Sequence, residues 1–438
     1  MPRTRKSNKS SVLGLAVLFV NALAASALAS DVYINLAGRS GQDQVALGMP
    51  PFIAERTGSG EEALAARKIQ EIIRQDLLFS RYVAISQDGP PFTGANAKSI
   101  SAQWKTRGSG WLLTGKASLA APKIAVTIQL INLDSGEAAF ERYYRQDQQY
   151  LRSSGHRIAD DIVRALTGKP GIAHTQIAFS GLVSGHKEIF IMDYDGENLK
   201  QLTRDGSIDL LPRFSPSLKQ LAYTSYKAGN PDLYLLDLER GQTRLLSREQ
   251  GLNIAGGFSP DGSQLLMTMS AQKNPNVYLK TLSDGSLTRL TQHFGVDTSP
   301  TFSPDGAQVA FVSDRSGNPQ IYVMALATQK AKRLTHNMNW CDSPAWSPTG
   351  EWVVFAGRYD VHDKMDIFLV DLTGNQVRQL THGEGSNEDP SWAPDGRFIA
   401  FSSNRAGHSE IFVMDADGSA PHKLAETPMA TFTPTWSH

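Results

Sequence analysis

The sequence predicts a six-bladed β-propeller, closed by its own C-terminal strand and preceded by an α/β domain. Three observations carry this expectation. First, an aromatic residue followed by a Ser-Pro-Asp-Gly-like turn recurs at Phe214 (FSPSL), Phe258 and Phe302 (FSPDG), Trp346 (WSPTG), Trp392 (WAPDG) and Trp436 (WSH), at spacings of 44, 44, 44, 46 and 44 residues. A period in the low forties with several short strands per unit marks a propeller. Second, a set of three strand-like segments occurs six times between Gln176 and Leu424. Third, the first set has no anchor before it, and the last anchor has no set after it. Ring closure solves both deficits, because the C-terminal strand completes the blade begun at Gln176. An open solenoid would leave two unpaired sheet edges, which a sheet protein must cover or charge.

The elements follow in order. Residues 1–29 read as a signal peptide: Arg3, Arg5, Lys6 and Lys9 lead into VLGLAVLFV and then ALA at Ala27–Ala29. Asn21 interrupts the apolar run, which is shorter than the roughly 20 residues a spanning helix needs. No Cys follows the cleavage site, so no lipid anchor is expected by that route, and an exported, soluble, monomeric protein is. Processing removes four of 43 basic residues and no acidic one, leaving 39 against 43. That balance gives no basic footprint for nucleic acid. The single Cys341 leaves no disulfide to form.

Residues 30–170 are expected to form the α/β domain, led by an arm at 31–44. The arm alternates Val32, Ile34 and Leu36 with Asp31, Tyr33 and Asn35, a pattern that suits a strand able to add to a sheet edge. VALGMPPFI is a short strand and its exit. EEALAARKIQEIIRQDLLF carries Leu64, Ile69, Ile72, Ile73 and Leu77 on a helical stripe. YVAI from Tyr82 is a strand, and AKSISAQWKTRG a shorter helix. WLLTGKA, KIAVTIQLINL and EAAFERYYRQ are three strands, with Asp134-Ser135-Gly136 turning the last pair. A final helix, LRSSGHRIADDIVRALTG, stops at Gly168 and Pro170.

Residues 171–438 are the propeller. The anchor ends strand a, and Pro and Gly shape the turn that follows. Strand b reads QIAFSG, QLAYTS, QLLMTM, QVAFVS, WVVFAG and FIAFSS. Strand c reads EIFIMD, DLYLLD, NVYLKT, QIYVMA, DIFLVD and EIFVMD. Strand d ends at Leu202, Leu246, Leu290, Leu334, Leu380 and Leu424. The two extra residues of the fifth repeat fall between Gly357 and Asp366, lengthening a b–c hairpin.

No catalytic set emerges. A G-x-S-x-G nucleophile elbow is absent, and the serines beside glycine (Ser40, Ser59, Ser109) lack its spacing. His293, His336 and His382 follow strand d in three blades and lie around a ring, so they cannot converge on one metal ion. No cofactor is expected. The surviving constellation is the d-to-a connections at the channel mouth. Five residues before the anchors stand Asp209, Asn253, Asp297, Cys341, Asn387 and Thr431; four before stand Leu210, Ile254, Thr298, Asp342, Glu388 and Phe432. From these, Asp209, Asn253, Asp297, Thr298, Asp342, Asn387, Glu388 and Thr431 are expected to form an acid-leaning docking surface. For any one of them, capping its own loop is the simpler role.

The junction LTGKPGIAHTQIAFS (Leu166–Ser180), the helix HRIADDIVRALTG before it, and repeats of the form FSPDG…IAF…IYVMA…LT together resemble the TolB family, periplasmic propeller proteins of the Tol–Pal system. The resemblance covers essentially the whole chain. It implies a non-enzymatic binding protein in the periplasm. The mouth would dock Pal, the peptidoglycan-associated outer-membrane lipoprotein. The arm residues Asp31, Val32, Tyr33, Ile34, Asn35 and Leu36 would engage a TolA-type inner-membrane protein. The system supports outer-membrane integrity and constriction at division. Two other readings stay open: an exported propeller-type hydrolase or lyase, and a carbohydrate- or peptide-binding propeller. A lyase would need His and carboxylates converging in the channel; a sugar bound in the channel would favour the other.

Overall fold

The structure is a computed structural model that describes residues 44–56, 58–92, 97–271 and 273–438. The expected signal peptide and the arm residues 31–36 lie outside the described residues. No described helix is long and apolar enough to cross a membrane.

The first part is a mixed sheet with two long helices and one short helix. The strands are β1 (Val45–Gly48), β2 (Ile53–Ala54), β3 (Val83–Ser86), β4 (Trp111–Ala120), β5 (Lys123–Asn132) and β6 (Ala138–Asp147). The order is β3-β1-β4-β5-β6, with β2 also on β4. β1 runs parallel to β3 and β4, while β4, β5 and β6 form an antiparallel meander. Helix α1 (Gly60–Phe79) starts at Ser59, whose side chain accepts from the Glu62 amide. Helix α2 covers Ala97–Thr106. Helix α3 (Leu151–Thr167) ends at Gly168 in the left-handed region (φ 72°), whose N–H reaches the Arg164 carbonyl.

The stripe of α1 differs from expectation at one end. Ala66, Ile69, Ile73 and Leu77 are buried, but Leu64 is exposed. Glu62 takes the inward position instead. Its carboxylate accepts from the Leu119 and Arg56 amides and from Arg56 Nε, which holds its pKa down to about 2.

Six four-stranded antiparallel sheets follow. Strands a are Asp209–Phe214, Asn253–Phe258, Asp297–Phe302, Trp340–Trp346 and Asn387–Trp392 in blades 1 to 5. In blade 6, strand a is Thr431–Trp436, and it pairs with strand b at Gln176–Val183 (Trp436↔Ile177, Thr431↔Gly181). The ring is therefore closed by the C-terminal strand, as the matched deficits require. Gln176 N–H donates to Ser437 Oγ, and the Trp436 indole donates to Thr175 Oγ1, both at 2.8 Å.

The repeated motifs have physical roles. Strands b and c present stacked aromatic pairs across the sheet in four blades, for example Phe179–Phe190 and Phe355–Phe368, with ring centroids 5.6 to 5.9 Å apart. The Thr after strand d is buried in four blades. Its hydroxyl accepts from the second strand-c amide and donates to the polar residue heading strand c, as Thr381 does to Asp366 (2.6 Å). In the anchor turns, Gly262, Gly306, Gly350 and Gly396 take φ near +71 to +78°. Leu218 occupies that left-handed position in FSPSL (φ 58°). The longer hairpin of blade 4 is where the spacing puts it, with Gly357 paired to Asp366.

The α/β part packs on the anchor-turn side of blades 5 and 6. Phe79 meets Tyr194 and Phe398 at 4.8 and 5.1 Å, and Arg397 lies 3.9 Å over the Tyr82 ring. Buried polar groups cross the same seam. His156 Nδ1 lies 2.8 Å from Asp76, the Tyr194 hydroxyl donates to Asp76 at 2.7 Å, and Arg152 bridges to Asp193 and Asp195. The d–a and b–c loops form the opposite face.

Candidate functional site

Strand a opens at the mouth and ends at the anchor turn. In five blades its third residue before the anchor adopts φ of +50 to +54°: Leu211, Ser299, Ser343, Asp389 and Thr433. A proline follows each one, and the pairing with strand b slips there. This is a β-bulge, in which an extra residue reverses the side-chain alternation. Non-glycine residues pay roughly 1–3 kcal/mol for such a conformation, which persists where the surroundings fix it.

The bulge corrects the expected docking surface. Asp209, Asn253, Asp297, Asn387 and Thr431 are buried, because the slip turns the first side chain of strand a into the blade, alongside the anchor. There Asn253, Asp297 and Asn387 tie loops. Asn253 accepts from Ser247 Oγ and the Glu249 amide. Asp297 accepts two hydrogen bonds from Arg315 Nη2 at 3.0 and 3.1 Å. Asn387 accepts from Arg405 and donates to Asp366. Burial raises the Asp209 carboxyl's pKa. Cys341, at the same position, is buried and its thiol is pushed up to about 12 by burial, so it is no nucleophile. Only Thr298, Asp342 and Glu388 reach the surface or channel: the first two are half-buried and Glu388 is exposed. Thr298 meets Thr268, Asp342 accepts from Ser299, and Glu388 accepts from Ser386. Prolines at Pro212, Pro300, Pro344, Pro390 and Pro434 were the signal for this, since proline inside a strand marks a bulge or an edge.

A second set of residues was missed. The b–c hairpins DRSGN, NRAGH and YKAGN place a cation at Arg315, Arg405 and Lys227. Each lies over the two aromatic rings of its own strands b and c, 4.0 to 5.8 Å from the centroids. Arg315 and Arg405 then reach the strand-a residues just described, and Lys227 reaches Asp205. These cations brace the rim of the mouth.

The rim itself carries apolar side chains in water. Phe294 (85% exposed), Val296, Tyr359 and Val361 come from adjacent loops of blades 2 to 4 and Trp340 from the start of a strand a, with Arg358 over the Trp340 ring. Leu182, Ile208 and Tyr226 extend the set on blades 6 and 1. Such a concentration on one face makes it a candidate interaction surface.

Below the mouth, strands a from all six blades enclose a cavity of about 390 Å³. Two charged side chains of opposite sign line it, Arg213 and Asp389, together with His438, whose pKa burial lowers. Burial, with the Asp342 and Glu388 carboxylates nearby, pushes Asp389 up to about 6.

Comparison with known proteins agrees with this architecture. Residues 163–438 match the family described as the TolB beta propeller domain. The Tol-Pal system protein TolB of Geobacter sulfurreducens is 34% identical over 209 residues, covering 46% of this chain and 47% of that protein. Its counterpart in Geobacter metallireducens is 35% identical over 168 residues, 38% and 39% of the two chains. The chain thus spans about half the length, or less, of the curated relatives it matches. The crystal structure of TolB from Acinetobacter baumannii superposes with a TM-score of 0.78 at 26% identity, covering 90% of this chain and 97% of that one.

Proposed function

We propose a function from one premise: this chain belongs to the TolB β-propeller family. It is a binding component of a Tol–Pal system, without catalysis of its own, exported to the periplasm. The propeller mouth docks a Pal-type outer-membrane lipoprotein. The segment at 31–44 engages a TolA-type inner-membrane protein, so that the chain links the two membranes in maintaining the outer membrane and drawing it in at division.

The observation that carries the docking reading is the exposed apolar arc of Phe294, Val296, Trp340, Tyr359 and Val361 on the face that the α/β part leaves uncovered. Large aromatic side chains at the centre of an interface supply most of its binding energy. Calorimetric titration of the full chain with the soluble domain of the Pal-type lipoprotein tests it. Phe294→Ala with Trp340→Ala is expected to weaken binding at least about tenfold, with melting unchanged. Equal affinity in variant and parent would move the docking site off this arc. For the arm, removing Asp31–Ser40 is expected to abolish capture of the TolA-type protein and leave the melting temperature nearly unchanged. A large fall in melting temperature would instead make the segment part of the α/β fold.

A further inference from the structure

We propose that the central channel is a binding site for a small zwitterion, a free amino acid or a short peptide, with its carboxylate on Arg213 and its ammonium on Asp389. This site is distinct from the rim and does not depend on the docking reading.

The argument starts from the sixfold repeat. The residue before each anchor faces the channel, and in blades 1 to 6 it is Arg213, Gly257, Thr301, Ala345, Ser391 and Thr435. One of the six is charged. The bulge position gives Leu211, Ala255, Ser299, Ser343, Asp389 and Thr433, and again one is charged. The repeat needs neither charge to build a blade, since the other five manage without. Each strand therefore departs from its own pattern to place one charge in the cavity.

The two charges are oriented and left incomplete. Arg213 Nε donates to the Gly256 carbonyl at 2.8 Å and one terminal nitrogen to the Pro212 carbonyl at 2.9 Å, fixing the guanidinium plane. Its Nη2 has no hydrogen-bond partner among the described residues. Asp389 Oδ1 accepts from Ser343 Oγ at 3.0 Å, and Oδ2 accepts from none of the described residues. The strand a of blade 6 stands between their two strands, and the pair makes no ion pair within 4.0 Å, although each feels the other's charge. A charge taken out of water is costly unless paired. Here the partners line one cavity and are too far apart to satisfy each other. A planar guanidinium suits a carboxylate, and a carboxylate suits an ammonium. A cavity of about 390 Å³ lies at the small end of ligand-site volumes, which favours compact molecules.

The ionisation of Asp389 gives the site a pH dependence. Burial, then Asp342 and Glu388, push its pKa up to about 6; the Ser343 hydroxyl and Arg213 act the other way. The carboxylate that takes the ammonium is present above that pH and lost below it, so affinity should fall as pH falls through about 6.

Calorimetry on the full chain tests this with glycine, glycylglycine and tetraglycine as probes, and with acetate and methylamine as single-charge controls. At least one zwitterion is expected to bind about tenfold or more tightly than either control, and to weaken about tenfold between pH 7.5 and 5. Preference for glycine would indicate an amino acid, and preference for the longer probes a peptide. Arg213→Gln and Asp389→Asn are each expected to weaken binding about tenfold or more. Trp346, Trp392 and Trp436 line the same cavity, so their emission reports binding in the unmodified chain and needs no variant. The proposal is overturned if no zwitterion binds at about 10 mM. It is equally overturned if a control binds as well, or if affinity does not change with pH.

Discussion

The two faces of the propeller treat the same kinds of residue in opposite ways. On the anchor-turn face, aromatic side chains and charges lie under the α/β part: Phe79 against Tyr194 and Phe398, and His156 between Asp76 and Asp193. On the mouth face, Phe294, Trp340 and Tyr359 stand in water, while the charges are tucked inward as braces. One face is built from a–b and c–d turns, the other from b–c hairpins and d–a loops. The difference teaches that one repeat can make a self-sealing surface at one end of its strands and an available one at the other.

The strongest way to break the comparison is to open the ring on which both faces rest. Removing Thr433–His438 takes away most of strand a of blade 6 and uncovers Gln176–Val183 as an edge. The shortened chain should aggregate in size-exclusion chromatography; a monomer with unchanged cooperative melting would refute the closure. Next comes the sealed face alone. His156→Ala leaves Asp76 buried with the Tyr194 hydroxyl but without its cationic partner, and loss of one member of a buried pair costs about 3–5 kcal/mol. Urea denaturation should show that loss, and a change under about 1 kcal/mol would remove the pair from the account of the seam.

The same histidine gives a pH test. Burial alone would lower its pKa, but the Asp193 and Asp76 carboxylates carry it up to about 9. A folded-state pKa above the unfolded value adds stability that is complete below about 6.5 and is lost as pH rises through about 9. Stability should decline over that window in the parent and less steeply in His156→Ala. The smallest effect belongs to the channel. Asp389→Asn removes a carboxylate that the fold disfavours when ionised, so melting should rise slightly at pH 7.5 and not at pH 4. An equal rise at both pH values would mean that ionisation is not the cause.

Much of this molecule is legible in its sequence, because the propeller writes the same message six times. Anchor turns, strands b and c, and the closing of the first blade by the C-terminal strand follow from spacing and alternation alone. What was lost turned on a single residue of register. Plain alternation puts Asp209, Asp297 and Asn387 on the channel side with Arg213 and its equivalents. The bulge at Leu211, Ser299 and Asp389 turns them into the blade. The helix α1 was misread for a related reason: a stripe of apolar letters hides an inward Glu62, whose partners Arg56 and Leu119 are distant in sequence or in another element. The exposure of Phe294 and Trp340 was not readable either, since an aromatic residue in a loop can fold in or out depending on neighbours from other blades.

Blade 6 is assembled from segments more than 200 residues apart, with the Gln176 amide bound to Ser437 Oγ. A ribosome makes strands b, c and d of that blade first and strand a last. Throughout synthesis the first sheet waits with one edge unpaired. Contacts so distant in sequence form slowly. The five intervening blades must therefore find their places before the circle can be fastened, and the final handful of residues acts as the clasp. A chain that loses those residues is left with an open edge, and unpaired strand edges are what make a partly folded protein prone to aggregate.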